Sequence, residues 1–469
     1  MARIASLLAA VAASLPVAAH AAPPLAGTYL ERADGQGGEC PADADEDCLL
    51  QVAAKDKAAC DKADARSACD PRLSERPTLD FEKILDDQLT RAIGAIGASG
   101  FSNVSAVFDN VIDRSGAGAE LTPAEMQAYR ANFMASVDGR DDLATAVREA
   151  IRQALPAMPE ALAEKINAAN LSYTVGPELR PRSAFPTGLA PLPVPQSWLS
   201  DPEEANETLS EGQAPPPPSF DARQNWPACA KVIGRIHDQG NCGSCWAFAA
   251  MQVMDSRTCI GLSNTGDNDI DVDLSRGFAI SCVPELAGSG CGGAYPLAAY
   301  LYIKTHRGIP PTECVPYFAA GTRRRDSTTR RRAPACPRSC SRGRKFTTLY
   351  RPRGIGVNVQ MFTGGAETKD KRPNEAMMNA IMSGGPVDWM VDSNQILGYR
   401  TGVIRHCFQP ADHAVTAIGW GSGGPDGEHI ITINSWGESW GDKGMFKAGW
   451  CMVGYWTRPG IVRQVDDDR

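Results

Sequence analysis

The sequence predicts an α+β protein, and three observations predict it. Residues 251–302 have a helix-like composition, whereas residues 387–433 hold β-like apolar runs broken by glycine. Upstream, Phe81, Ile84, Leu85, Leu89, Ile93 and Ile96 recur at helical spacing, and Leu143, Val147, Ile151 and Leu155 mark one face of a second helix. The length of 469 residues gives room for roughly two to three domains, each with its own core. Hydrophobic and charged fractions of 43% and 22% are those of a soluble globular protein. The formal net charge of −8 argues against a nucleic-acid partner.

At the N-terminus Arg3 precedes an apolar run from Ile4 to Ala19, followed by Ala19-His20-Ala21, an A-x-A cleavage site. Residues 1–21 read as a removed signal peptide, with the precursor starting near Ala22. A membrane anchor is disfavoured because the run is short for a span and contains Pro16. The 15 cysteines suggest an oxidising compartment, so the expectation is the secretory pathway, ending outside the cell or in a lysosome- or vacuole-like organelle. Residues 22–75 form a segment with Cys40, Cys48, Cys60 and Cys69, an even set that suggests two disulfides. Metal binding is the weaker reading there, since the segment has no C-x-x-C and no histidine.

Residues 76–160 form a helical extension that holds the two stripes. Within it Thr122-Pro123-Ala124-Glu125 has the pattern of a capping box with proline at the first helical position. These stripes are core faces rather than ligand sites. From 161 to 218 the texture changes to a propeptide and linker, with polyproline-like runs at Pro191–Pro195 and Pro215–Pro218. Asn103, Asn170 and Asn206 begin glycosylation sequons that are used or idle according to the host.

The most informative stretch is Gln239-Gly240-Asn241-Cys242-Gly243-Ser244-Cys245-Trp246-Ala247-Phe248. Two cysteines three apart fit a redox pair, a metal half-site, or a disulfide partner beside a nucleophile. The Gly-Ser between them and the apolar Trp-Ala-Phe-Ala-Ala-Met run favour the third. That run reads as a buried helix starting at or near Cys245, where unpaired N–H groups and the macrodipole lower a thiol pKa. From Cys229 onward there are eleven cysteines, an odd number that implies one free thiol.

This motif resembles the nucleophile signature of papain-like cysteine peptidases. Phe220-Asp221-Ala222-Arg223 and Trp226-Pro227-Ala228-Cys229 are similar to the start of mature cathepsin B-like enzymes, and residues 166–176 to their short propeptide. The resemblance runs to about Gly460, roughly half the chain, and places the peptidase domain at 219–469. It implies a two-lobe fold, with a helical lobe carrying the cysteine and a β-barrel-like lobe carrying histidine and asparagine, behind a largely helical prosegment.

By the same resemblance Cys245 is the nucleophile and His413, in Asp412-His413-Ala414-Val415, its imidazole partner. Asn434, in Asn434-Ser435-Trp436-Gly437, holds the ring in plane, and Trp436 shields that bond. Gln239 supplies a side-chain N–H to the oxyanion beside the Cys245 backbone N–H. His237, His306, His406 and His429 lack this context and read as structural; Trp440 reads as packing or as part of the primed-side wall. The Cys245–His413 separation exceeds the roughly 130–150 residues usual for the signature, and a basic insertion absorbs the excess.

The resemblance further implies the disulfides Cys242–Cys291, Cys229–Cys259, Cys282–Cys336, Cys314–Cys340 and Cys407–Cys451, leaving Cys245 over. Substrate backbone would meet Gly292, Gly293 and Ala294, where the Ala294 methyl stands in place of the family's glycine and threatens to crowd the approach. Trp456 aligns with the floor of the second subsite and implies a small or medium apolar preference. The family's occluding loop grips a substrate carboxylate with a His-His pair. The matching region 318–334 has no histidine and instead carries Arg323, Arg324, Arg325, Arg330, Arg331 and Arg332. It is a solvated loop, a processing site or an anion-binding flap.

The expectation is an endopeptidase made as a zymogen, acting on protein or peptide substrates and inhibited by its own propeptide. No cofactor, no metal, no nucleic acid and no membrane span after signal removal are expected. A dipeptide-releasing exopeptidase of the same fold is the first rival. A non-catalytic binding protein is the second, and a redox protein using Cys242 and Cys245 the third.

Overall fold

The computed structural model describes residues 156–158, 160–181, 185, 187–189 and 215–466, the last apart from internal runs such as 265–269, 322–331 and 359–374. The signal peptide, Cys40 to Cys69, the two upstream helical stripes, the sequons at Asn103 and Asn206, Arg323 to Arg331, and Cys407 lie outside the described residues. The chain forms two compact units, 1–184 and 185–469.

In the first unit, β1 (Pro156–Met158) pairs antiparallel with β3 (Glu178–Pro181). Between them lie α1 (Glu160–Ala168) and β2 (Tyr173–Val175). Ala163 and Ile166, three apart, form the buried face of α1. The Asn167 amide donates to the Val175 carbonyl at 2.8 Å and accepts from its N–H at 2.9 Å, tying the helix end to β2.

The second unit begins with β4 (Phe220–Asp221), α2 (Ala222–Asn225) and α3 (Ala230–Ile233), where the Asp221 carboxylate caps α2 through the Arg223 N–H at 2.9 Å. The long helix α4 (Cys245–Ser263) follows, then α5 (Arg276–Cys282), whose N–H of Phe278 is capped by Ser275 Oγ at 2.9 Å, and α6 (Pro296–Thr305), which starts on proline. Every residue of α4 from Cys245 to Ile260 is buried, so it packs all round as a core helix does.

Two of its polar side chains, Gln252 and Arg257, are spent on other elements' unpaired groups. Gln252 Nε2 donates to the Val232 and Ile233 carbonyls at the end of α3, at 3.0 and 3.1 Å. Arg257 donates to the carbonyls of Ala380, Gly385 and Pro386 at 3.1, 2.8 and 2.9 Å, closing the C-terminus of α7 (Glu375–Gly384).

The other lobe is a sheet of β6 (Ile355–Asn358), β7 (Val387–Val391), β8 (Tyr399–Ile404), β9 (His413–Gly421), β10 (His429–Ile433), β11 (Met445–Ala448) and β12 (Trp456–Pro459). Its order is β8-β11-β10-β9-β7-β12-β6, with β4 added on β9. All pairs are antiparallel except β11 with β8. Among the described residues no pairing joins β6 back to β8, so the sheet of this α+β fold is not closed. A separate ribbon of β5 (Thr348–Pro352) and β13 (Val462–Asp466) packs Val462 into the helical core.

A buried polar cluster ties the lobes together. Tyr300 of α6 and Thr457 of β12 donate to the two Asp388 oxygens of β7 at 2.6 and 2.5 Å. Burial pushes the Asp388 carboxyl up to about 7, against the lowering effect of those two hydroxyls and the Arg257 guanidinium. An unfolded aspartate titrates near about 3.9. The fold therefore retains this proton, and its stabilising effect is complete below about pH 4 and lost as pH rises through 7. Thermal melting of the full chain should accordingly fall more steeply between pH 5 and 8 than that of Asp388→Asn. Parallel melting profiles would refute this assignment.

Candidate active site

The thiol is placed by a helix end and a stapled loop. Cys245 is the first residue of α4, and the loop before it is held by the Cys242–Cys291 disulfide and by Gly243 N–H on the Cys291 carbonyl at 3.0 Å. Side chains are excluded at Gly243, where a Cβ would come within 2.5 Å of the Cys291 oxygen and 2.6 Å of the Thr187 oxygen. Gly240 turns the loop with φ +58°, a conformation that favours glycine. Further disulfides join Cys229–Cys259, Cys282–Cys336 and Cys314–Cys340, and Cys245 is the free cysteine among the described residues. Cys242 is paired away from Cys245, which removes the redox reading of the C-x-x-C. The remaining expected pair, Cys407–Cys451, lies outside the described residues through Cys407.

His413 and Asn434 meet through sheet register. β9 and β10 run antiparallel with Ile433 opposite Thr416, which brings the start of one strand beside the end of the other. His413 Nε2 lies 2.8 Å from Asn434 Oδ1, and that oxygen also accepts the Ser435 N–H at 2.7 Å. Because the oxygen is engaged twice as an acceptor, the amide orientation is set and Nε2 carries the ring proton. Trp436 stacks on the imidazole at 4.6 Å between centroids, fully buried, and Trp440 meets Trp436 edge-on at 5.2 Å.

Gln239 is fully buried. Its Nε2 donates to the Cys242 carbonyl at 2.9 Å, and its Oε1 accepts from Ser435 Oγ at 2.7 Å. The Cys242 carbonyl, which can only accept, fixes which end of the amide is nitrogen, and Ser435, unmarked in the sequence, donates to the other end.

Residues from ahead of the peptidase region occupy this place. Phe185 packs edge-on against Trp436 at 5.0 Å. The Gly188 carbonyl accepts the Ala294 N–H at 2.8 Å, and Leu189 N–H donates to the Asp412 carbonyl at 3.2 Å. One peptide group thus bridges two walls of a cleft. Gly188 fits because a Cβ there would lie 2.0 Å from the Gly243 oxygen. Leu189 packs on the cluster of Cys245, Ala249, Met390 and Ala414, with Ala411 alongside.

Beneath this cover burial pushes the Cys245 thiol up to about 12, against hydrogen bonds from the Ala414, Gly188 and Trp246 backbone that lower it. The helix terminus alone predicts the opposite sign; loss of water outweighs it.

Ala294 is buried and part of the helical core, so its methyl does not keep its amide from the bridging chain. Gly292 closes a short 3-10 turn and Gly293 follows at φ +120°. Trp456 is buried in β12 opposite Trp389. Nothing in the motifs marks Gly188 or Met390, and Asp412 stands in the His413 motif without a role of its own; their partners are far off in sequence.

His237, Asp255 and Asp273 bring potential metal-ligand atoms within 4.8 Å of one another. Arg276 already neutralises both carboxylates, at 2.8 and 2.7 Å, which suits an ion pair rather than a cation. Burial, then Arg276 and Arg235, push His237 well below the usual imidazole range. Among the described residues no helix is long and apolar enough to cross a membrane.

Residues 216–451 match the profile of the papain family cysteine proteases. The chain is 30% identical over 319 residues to cathepsin B-like cysteine proteinase 5 of Caenorhabditis elegans, covering 63% of this chain and 87% of that protein. It is 34% identical over 249 residues to a cathepsin B-like cysteine proteinase of Schistosoma japonicum, covering 49% and 68%. Among solved structures, procathepsin B S9 of Trypanosoma congolense overlaps 65% of this chain and 99% of its own, at 21% identity and a TM-score of 0.49. With a family match over half its length, this chain belongs to the papain family of cysteine proteases and is a peptidase similar to cathepsin B.

Proposed function

We propose that the protein is a cysteine endopeptidase, made as a secreted zymogen, that works through Cys245, His413 and Asn434. The observation that carries this reading is the Gly188–Leu189 peptide group, held across the thiol between Ala294 and Asp412. That group is held as extended substrate backbone would be, with its carbonyl against one wall and its N–H against the other. Chain lies on both sides of it, with Phe185 at Trp436 and Leu189 at Met390 and Ala414, which supports cleavage within a chain. The absence of histidine from residues 318–334 supports the same reading, since no imidazole pair is present there to grip a terminal carboxylate.

In the open cleft Cys245 Sγ passes its proton to His413 Nδ1, because Nε2 is committed to Asn434. The thiolate attacks the carbonyl carbon, and the displaced electron pair collects on oxygen. There the Cys245 N–H and Gln239 Nε2–H receive it. The imidazolium then gives its proton to the amine as the C–N bond breaks, leaving a thioester. A water deprotonated by the same imidazole hydrolyses that ester and restores the thiol. Trp456 floors the second subsite, and with Met390 and Ala414 it favours an apolar side chain. Residues 185–189 act as the inhibitory part of the prosegment, and acid loosens them. No cofactor enters these steps.

Acid-activated wild type should cleave internally quenched peptides blocked at both ends, and Cys245→Ser should not. Release of dipeptides from free-ended substrates alone would move the assignment to an exopeptidase. Asn434→Ala should lose roughly 10²-fold in kcat through loss of ring orientation. An unchanged kcat would remove Asn434 from the mechanism.

Gly188→Val should unseat the covering segment. At pH 7 iodoacetamide should then alkylate Cys245 in the unprocessed chain at least about tenfold faster than in wild type, because water returns to the thiol. Equal rates would show that residues 185–189 do not govern thiol reactivity.

A further inference from the structure

The loop from Gln239 to Cys245 carries both donors assigned to the oxyanion, at its two ends, so their separation depends on how the loop is closed. The geometry points to Tyr317 as a positioning residue that helps to close it. Its hydroxyl donates to the Gln239 carbonyl at 2.5 Å and lies 3.1 Å from Ser244 Oγ, the residue just before Cys245. A phenol has one proton, and a carbonyl only accepts. That proton therefore goes to Gln239, and the single Ser244 hydroxyl proton is shared between the Tyr317 oxygen and the Cys242 carbonyl, 3.3 Å from Ser244 Oγ. One oxygen thus ties the first residue of the loop to the residue whose successor supplies the backbone donor.

Within the loop the Cys242 carbonyl gathers Gln239 Nε2, Ser244 N–H and Ser244 Oγ at 2.9, 2.8 and 3.3 Å, and Tyr317 adds a tie to the Gln239 backbone itself. The remaining bonds hold the loop to its neighbours. Gln239 N–H donates to Ser435, Gly243 N–H donates to Cys291, and Cys242 is linked to Cys291. The phenol ring is itself placed by an edge-on contact with Phe248 of α4, at 4.9 Å and 81°. Its segment is anchored by the Cys314–Cys340 disulfide and packs so closely on α5 that a Cβ at Gly277 would reach 2.6 Å from the Pro316 oxygen. Tyr317 therefore transmits the placement of α4 and α5 to the oxyanion donors. Tyr317 does not touch the reacting atoms and acts through Gln239 and Ser244. The inference rests on the oxyanion roles given to Gln239 and the Cys245 N–H above.

Tyr317→Phe keeps the ring and its Phe248 contact and removes the hydroxyl that makes the tie. Rates are taken per titrated thiol of activated enzyme, so that misfolded protein does not enter. The expected result is a fall of about tenfold in kcat with KM within twofold. A peptide aldehyde, whose thiol adduct places an oxygen at the donors, should bind about tenfold more weakly. The matching peptide amide should bind unchanged, and iodoacetamide should alkylate Cys245 at the wild-type rate. Adding Tyr317→Phe to Gln239→Ala should cost less than it does in wild type. Unchanged aldehyde affinity, or equal weakening of aldehyde and amide, would overturn the role of Tyr317 while leaving the oxyanion reading intact. Wild-type kcat in Gln239→Ala alone would overturn that reading, and this inference with it.

Discussion

A helix buried on every side is the constraint on which the rest of this structure depends. α4 has no water-facing stripe from Cys245 to Ile260, so each polar group on it must find a partner in the protein. The partners it finds are the loose ends of other elements, the last carbonyls of α3 for Gln252 and those of α7 for Arg257. Satisfying one helix thus fixes the ends of two more. Its N-terminus, pointed at the other lobe, becomes the fixed origin from which the thiol is presented.

The thiol is governed by two opposing effects at that origin. The helix end and nearby N–H groups favour the thiolate, as peptidase chemistry needs. Burial under Gly188 and Leu189 works against them and wins, leaving a thiol that does not ionise near neutrality. The covering chain achieves this with ordinary peptide hydrogen bonds to Ala294 and Asp412 and with the absence of a side chain at Gly188. The two effects thus meet on the same few atoms.

The lobes are joined by polar as well as apolar contacts. Asp388 receives hydroxyls from both α6 and β12 in a place without water, so its proton equilibrium and the lobe contact are linked. Such a join is firmest in acid.

Some of this was legible in the sequence, where a local pattern has a local cause. The apolar run after Cys245 announces a buried helix that starts at the thiol, because capping, glycine and hydrophobicity all act within one turn. The odd cysteine count announced one free thiol, and the family resemblance named its place. The family motif marked His413 and Asn434, but their 2.8 Å contact comes from the β9–β10 register, which depends on which strands pair. The open sheet, the Ser435–Gln239 and Tyr317–Gln239 bonds and the cover supplied by Gly188 carry no local signal, since each joins segments far apart in the chain. The thiol is the plainest case. Sequence alone determined that a cysteine would head a helix and so be primed to ionise. Only tertiary structure decided that it would not, because desolvation is set by what the rest of the chain lays over it.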